Sequence, residues 1–163
     1  MVSPAGRQAL GFEEAVQAYA DTVTRLCCLH LKDLSEIEDV WQNVFLALFQ
    51  RPDVLRRGCE AVKAWLIRVT LNKCADNNRR YKLHAPMPEE LEAQLYMDSY
   101  PFELVDLLRN LPDKYAEPLY LYYFEGCSVK ETARILKRTV SAVKTQLRRG
   151  REMLKGEMEL EEF

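Results

Sequence analysis

Glycine and proline are scarce in this 163-residue chain, at 6 and 7 residues, which leaves little material for a turn-dense β fold. Long apolar runs are missing too. No stretch approaches the roughly 20 residues that cross a bilayer. The opening residues, MVSPAGRQALGF, lack the apolar core and basic flank of a secretion signal. The expectation is a cytoplasmic protein with no membrane insertion. The five cysteines, Cys27, Cys28, Cys59, Cys74 and Cys127, are odd in number and form no CxxC pair, so reduced, buried filler is their simplest role. Cys27-Cys28-Leu29-His30 can be misread as a metal cluster. Neighbouring helical side chains point about 100° apart, however, and two of them cannot chelate one ion without strain, so no metal is expected. Neither His30 nor His84 has an evident partner, and no nucleophile–base pair or phosphate loop is present. No catalysis and no cofactor are expected.

What the chain does have is charge in blocks. The 23 basic and 25 acidic residues give a formal net of −2, which alone argues weakly against a nucleic-acid partner. The distribution reverses that. Residues 1–50 carry −4, 51–82 carry +6, 83–125 carry −7 and 126–163 carry +3. The alternation suggests two basic modules held apart by an acidic stretch.

Apolar spacing is helical throughout. Phe12, Val16, Tyr19, Val23, Leu26 and Cys27 form one face. Ser35-Glu36-Ile37-Glu38 reads as a capping box, with Ser35 as N-cap and Glu38 at N3. Ile37, Val40, Trp41, Val44, Phe45, Leu48 and Phe49 follow as an inner stripe that Pro52 ends. Residues 51–60 read as a basic loop. A third helix is expected from about Ala61, with Val62, Trp65, Leu66 and Val69 buried. From Asn72 to Arg80 it turns nearly all polar, so this end either frays or faces a partner. Residues 81–101, with Pro86, Pro88 and Pro101 among acids, read as a linker. Helices resume at Phe102–Asn110 and Asp113–Glu125, the latter bent by Pro118 and stopped by Gly126. The fold class is all-α: two small helical domains, 8–82 and 102–160, joined by a flexible linker at 83–101.

The C-terminal end carries the informative motif. Ser128-Val129-Lys130-Glu131 is a capping box opening a short helix with Ala133, Ile135 and Leu136 inside. Lys137 and Arg138 fill a tight turn. Thr139 caps a further helix with Val140, Val143, Leu147 and Leu154 on its inner face. This is the helix-turn-helix layout. The outer face offers Ser141, Lys144, Thr145, Arg148, Arg149 and Arg151, and residues 137–155 hold seven basic side chains against one acid, Glu152. Short polar groups early in the helix suit base edges, and arginines one or two turns later suit phosphates.

Three segments in order then resemble a known family, the extracytoplasmic-function (ECF) group of bacterial RNA polymerase sigma factors, over about residues 12–156. They are Ile37 to Leu46 (IEDVWQNVFL), Ala64 to Asn72 (AWLIRVTLN) continuing to Arg79-Arg80, and LPDK at 111–114 with YFEGCS at 123–128 and VKT at 143–145. The resemblance implies that Asp39, Gln42, Asn43 and Leu46 dock on the β′ clamp helices of core polymerase. They share a helix face opposite most of the apolar stripe; the family usually has an acid where Asn43 stands. It implies −10 promoter contacts from Arg56, Arg57, Lys63, Arg68, Asn72, Lys73, Arg79 and Arg80. Asn72 would read a base, and the loop 51–60 would wall a pocket for a flipped one. Trp65 belongs to the core on its spacing. It further implies −35 contacts from Thr139, Ser141, Ala142, Lys144, Thr145, Arg148, Arg149 and Arg151, a β-flap contact from the C-terminal domain, and a cognate anti-sigma factor. Two departures stand out. Lys137 and Arg138 occupy a turn where the family commonly has Gly and an apolar residue, and Gln146 stands where a basic residue is frequent. Lys137 costs about 1 kcal/mol if its position needs left-handed geometry, and both turn residues could instead contact phosphate.

Three alternatives compete with this reading, the remotest being an enzyme with an unrecognised helical active site. A stand-alone helix-turn-helix regulator explains 126–156 but leaves the segments around Asp39 and Trp65 without a task. A sigma-like decoy would bind a regulator and not DNA.

Overall fold

A computed structural model describes residues 8–80 and 102–161. All regular structure among them is helical, in two compact units. The segment expected to be the linker, 83–101, lies outside the described residues.

The N-terminal unit contains α1 (Phe12–His30), α2 (Leu34–Phe49), α3 (Pro52–Leu55) and α4 (Cys59–Arg80). α1, α2 and α4 pack against one another. Their shared core includes Val23 and Leu26, Val44 and Leu48, and Leu66 and Ile67, each no more than 1% exposed. Truncating one such leucine to alanine costs about 2–5 kcal/mol. The α2 start differs from expectation. Asp33 is the N-cap, its Oδ1 accepting from Ser35 N at 2.8 Å, so Ser35 sits at N2 and its box with Glu38 does not form. A carboxylate two residues upstream outcompetes the hydroxyl for the same end.

The stretch 51–60 is not a plain loop. Pro52 ends nothing; it opens α3 at N1, where a missing N–H is harmless, and α4 starts at Cys59, two residues before Ala61. The buried stripe of α4 is Val62, Leu66, Ile67, Thr70 and Cys74. Trp65 and Val69 are half-buried, contrary to expectation. Thr70 and Cys74 extend the stripe into the polar end, the Thr70 hydroxyl donating to Leu66 O at 2.6 Å. That end does not fray before Arg80. Asn78 Nδ2 donates to His30 O at 3.0 Å, satisfying a carbonyl that the end of α1 leaves open. Cys27 and Cys74 meet across α1 and α4; their mutual hydrogen bond, together with burial, pushes the Cys27 thiol far up. Both behave as core groups.

The C-terminal unit contains α5 (Phe102–Arg109), α6 (Asp113–Tyr123), α7 (Val129–Leu136) and α8 (Val140–Glu161). α6 ends two residues before Glu125, and Gly126 follows at φ 67°, in the region glycine favours. α8 lies across α6, and Gly150 permits the approach: a Cβ there would lie 2.7 Å from Leu119 Cδ1. Ser128 and Glu131 form the expected capping box, with Ser128 Oγ accepting from Glu131 N and Glu131 Oε2 from Ser128 N, both at 3.0 Å. Lys137 is left-handed at φ 55°, ψ 47°. Arg138 N donates to Ala133 O at 2.9 Å and Lys137 N to Arg134 O at 3.3 Å. Those are the two bonds of a Schellman ending, with lysine where glycine is usual.

Candidate polymerase and nucleic-acid interfaces

Three surfaces collect the residues singled out by sequence. On α2, Ile37, Val40, Val44, Phe45 and Leu48 are buried. Asp39, Gln42, Asn43 and Leu46 lie on the opposite side at i, i+3, i+4 and i+7, all exposed. This is one continuous stripe of charge, two amides and an apolar end. Phe49 continues it by one more step and is 64% exposed, next to Leu46 at 55%. The expectation had put Phe49 inside. Its ring instead meets Phe12 edge-on, with centroids 5.2 Å apart. Its signal in the sequence was the i+3 step from Leu46, which belongs to the outer stripe as much as to the inner one.

On α4, Arg68, Asn72 and Arg79 fall within about 40° of one another on the face away from the buried stripe. Asn72 and Arg79 are exposed and Arg68 is half-buried, its Nε enclosed without a protein acceptor. Half-buried Trp65 borders this face, at i−3 from Arg68 and i−7 from Asn72. Arg79 pairs with Asp76. Lys73 and Arg80 lie about 140° and 120° round from Arg68 on one side, and Lys63 about 140° round on the other, so the helix brings none of the three onto the face of Arg68, Asn72 and Arg79. Before α4, Asp53 gathers two arginines. Arg51 Nε and Nη2 donate to its oxygens at 2.9 and 3.0 Å, and Arg57 Nη2 at 3.3 Å. Arg51 thereby pulls the Asp53 carboxyl down to about 2. Arg56 Nε donates to Pro52 O at 3.3 Å. Arg56 and Arg57 are both exposed.

On α8, Val143, Leu147 and Gly150 are buried. Ser141, Lys144 and Arg148 are exposed on the outward face, with half-buried Thr145 between them and Glu152 one turn beyond Arg148. Thr139 caps the helix, its hydroxyl accepting from Ala142 N at 3.0 Å. Ala142 is half-buried, and Val140, expected inside, is 37% exposed at the free first turn. Arg149 and Arg151 lie about 160° apart on opposite flanks, each tied to a tyrosine of α6. Arg151 Nη1 donates to Tyr123 Oη at 3.0 Å. The Arg149 bond to Tyr115, helped by Lys114, lowers that phenol's pKa. Arg138 does not stand free for phosphate. It donates to Glu117 Oε2 at 2.9 Å, Gln146 Oε1 at 3.0 Å and Lys114 O at 3.1 Å.

Residues 15–83 match the family described as Sigma-70 region 2, and residues 102–154 match Sigma-70, region 4. The chain belongs to the sigma-70 family. Relatives are of its ECF group. The chain is 28% identical over 153 residues to the ECF RNA polymerase sigma factor SigM of Bacillus subtilis, covering 88% of this chain and 93% of the relative. It is 27% identical to SigW of the same organism, covering 90% and 88%. Among solved structures, this sigma-70 family chain shares its fold with Bartonella quintana RpoE, solved with the anti-sigma factor NepR (TM-score 0.70, 16% identity, 91% and 96% covered). It also shares it with CnrH, solved with the cytosolic domain of CnrY (TM-score 0.68, 22% identity, 91% and 88% covered). No helix among the described residues of this sigma-70 family member is long and apolar enough to cross a membrane.

Proposed function

We propose that this chain directs bacterial core RNA polymerase to specific promoters and leaves the chemistry to the polymerase. The observation behind the proposal is the α8 face, where Ser141, Lys144, Thr145 and Arg148 stand together over an anchored inner side. It is a helix of the width and charge that a major groove admits. In this reading residues 102–160 form the −35 and β-flap module. Ser141, Ala142, Lys144 and Thr145 approach base edges, and Thr139, Arg148, Arg149 and Arg151 approach phosphates.

Residues 8–82 form the core-binding and −10 module, and 83–101 link the two. Asp39, Gln42, Asn43 and Leu46 dock on the β′ clamp helices, with Phe49 adding apolar contact at the end of the stripe. Arg68, Asn72 and Arg79 face non-template −10 DNA, flanked by Lys73 and Arg80, while Arg56 and Arg57 approach it from the α3 side. Asn72 suits base reading because its amide offers a donor and an acceptor together. Lys63, Lys73 and Arg80 are the weaker members of this set, being off that face of α4. A cognate anti-sigma factor completes the picture, by analogy with the protein solved with NepR.

Transcription in vitro with purified core polymerase tests the whole reading. The expected result is promoter-specific initiation that needs both this chain and core. Duplex binding without any affinity for core would refute it in favour of a stand-alone regulator. Binding to neither, with capture of a regulator, would point to a decoy.

A further inference from the structure

Arg138 has a purpose that its place in a tight turn does not suggest. Its side chain is 24% exposed and that of its partner Glu117 is 16% exposed. Three acceptors on two other helices converge on the one guanidinium: the Glu117 carboxylate and Lys114 O of α6, and the Gln146 amide of α8. The Lys114 carbonyl is available for a specific reason. In a regular helix it would accept from the N–H of residue 118, and Pro118 has none. Proline in α6 opens an acceptor, left-handed Lys137 aims the following residue inward, and Arg138 fills the vacancy.

Trading this arrangement for a phosphate would give up three hydrogen bonds, one of them to a mostly buried carboxylate, which disfavours the exchange. Gln146 is also accounted for. Its amide oxygen is occupied by Arg138, about 160° round the helix from Arg148, so it is not a base reader. The two departures from the family pattern, a basic turn and a neutral residue at 146, are halves of one contact.

We propose that Arg138 is a positioning residue for promoter recognition. From the turn it fixes how α8 lies on α6, and so sets discrimination among −35 sequences without touching DNA. The inference rests on the reading of 102–160 as the −35 module.

The test uses holoenzyme assembled from the full chain and core polymerase, selected against duplexes randomised over the −35 and −10 segments. The wild type is expected to enrich one −35 sequence; enrichment at −10 alone would overturn the module reading and this proposal with it. Arg138→Met and Glu117→Gln are then compared on the winning duplex and its single-base −35 variants. Discrimination should fall by roughly tenfold, the size of one mispositioned base contact. The slope of log affinity against log salt should stay at the wild-type value. Arg148→Gln serves as the contrast, lowering that slope by about 0.9 for the phosphate lost. A slope that falls likewise in Arg138→Met, with −35 preference intact, would make Arg138 a phosphate contact and overturn the proposal. Unchanged preference and slope, with only a lower unfolding midpoint, would reduce it to a stability contact and overturn it equally. Glu117→Gln keeps the size and an acceptor oxygen but removes the charge that holds Arg138, so it stands as the test if Arg138→Met fails to fold.

Discussion

Gly150→Ala sets two known magnitudes against each other at the seam between α6 and α8. Alanine gains about 1 kcal/mol over glycine in a helix interior, so propensity alone expects a more stable protein. The added Cβ, however, would lie 2.7 Å from Leu119 Cδ1 and 3.2 Å from its Cγ, where carbon contact is comfortable at about 3.5–4.0 Å. Leu119 is 1% exposed, and Tyr115 Cβ lies at 3.5 Å. The strain is relieved only by moving α8 off α6 or forcing Leu119 off its rotamer, and overpacking of this kind costs typically about 1–3 kcal/mol. The expected net is a loss of up to about 2 kcal/mol, where each 1 kcal/mol lowers the midpoint of a domain this size by about 4–8 °C. Thermal unfolding followed by circular dichroism measures it. Both tryptophans, Trp41 and Trp65, are in the N-terminal unit, so tryptophan fluorescence supplies an internal control that should not shift. Leu119→Ala alone should cost about 2–5 kcal/mol, and less when combined with Gly150→Ala, because the new methyl occupies part of the emptied space. A midpoint that rises by the full propensity gain would refute the close approach of these helices. So would additivity of the two changes within about 0.3–0.5 kcal/mol.

Four further outcomes are expected. Lys137→Gly should raise the C-terminal unit's stability by up to about 1 kcal/mol, since it relieves left-handed strain at an exposed residue while adding unfolded-state entropy; a lower urea midpoint would contradict this. Ser128→Ala should cost about 1 kcal/mol in the same assay, because one reciprocal bond of the capping box is lost. Asp53 should titrate near 2 by NMR, and Arg51→Gln should move it up toward the usual 3.8. Its folded value is the lower one, so the tie to Arg51 is intact above about pH 4 and lost as pH falls through 2; an unmoved titration would deny the contact. Asn72→Ala should change preference among −10 variants with core binding unimpaired, and equal losses on every variant would exclude base reading.

Features encoded within a few residues were the ones legible in the sequence. The Ser128–Glu131 box and the Thr139 cap each need only local geometry, and each stands where the spacing puts it; Lys137 takes the left-handed geometry that its sequence left open. The failures share a cause as well. Ser35 was outcompeted by Asp33, a choice between two caps that composition does not rank. Phe49, Val140 and Trp65 sit at helical spacings compatible with either face, and only the extent of the neighbouring helix decides whether the end of a stripe is covered. The four-residue helix α3 is shorter than any periodicity can show. The Arg138–Glu117 contact joins residues 21 apart, and nothing local announces it.

That contact also changes how the charge should be counted. Residues 137–155 total +6 by sequence, but Glu117, outside that window, neutralises Arg138 at 2.9 Å, leaving a net of five toward any partner. Arg149 and Arg151 are restrained differently: their partners are tyrosine hydroxyls, which orient a guanidinium without cancelling its charge. Near α3 the opposite holds, where Asp53 serves both Arg51 and Arg57 and leaves Arg56 as the arginine there that meets no carboxylate among the described residues. A cation held by a neutral acceptor keeps its full attraction for phosphate and loses less entropy on binding, whereas one held by a carboxylate must first give up a partner. The flanks of α8 are therefore better prepared for a polyanion than the equally basic segment at 51–57. Loss of Arg149 or Arg151 should accordingly lower the salt slope more than loss of Arg57 does. Equal slopes for the three would mean that the partner of each arginine has no bearing on how it meets DNA.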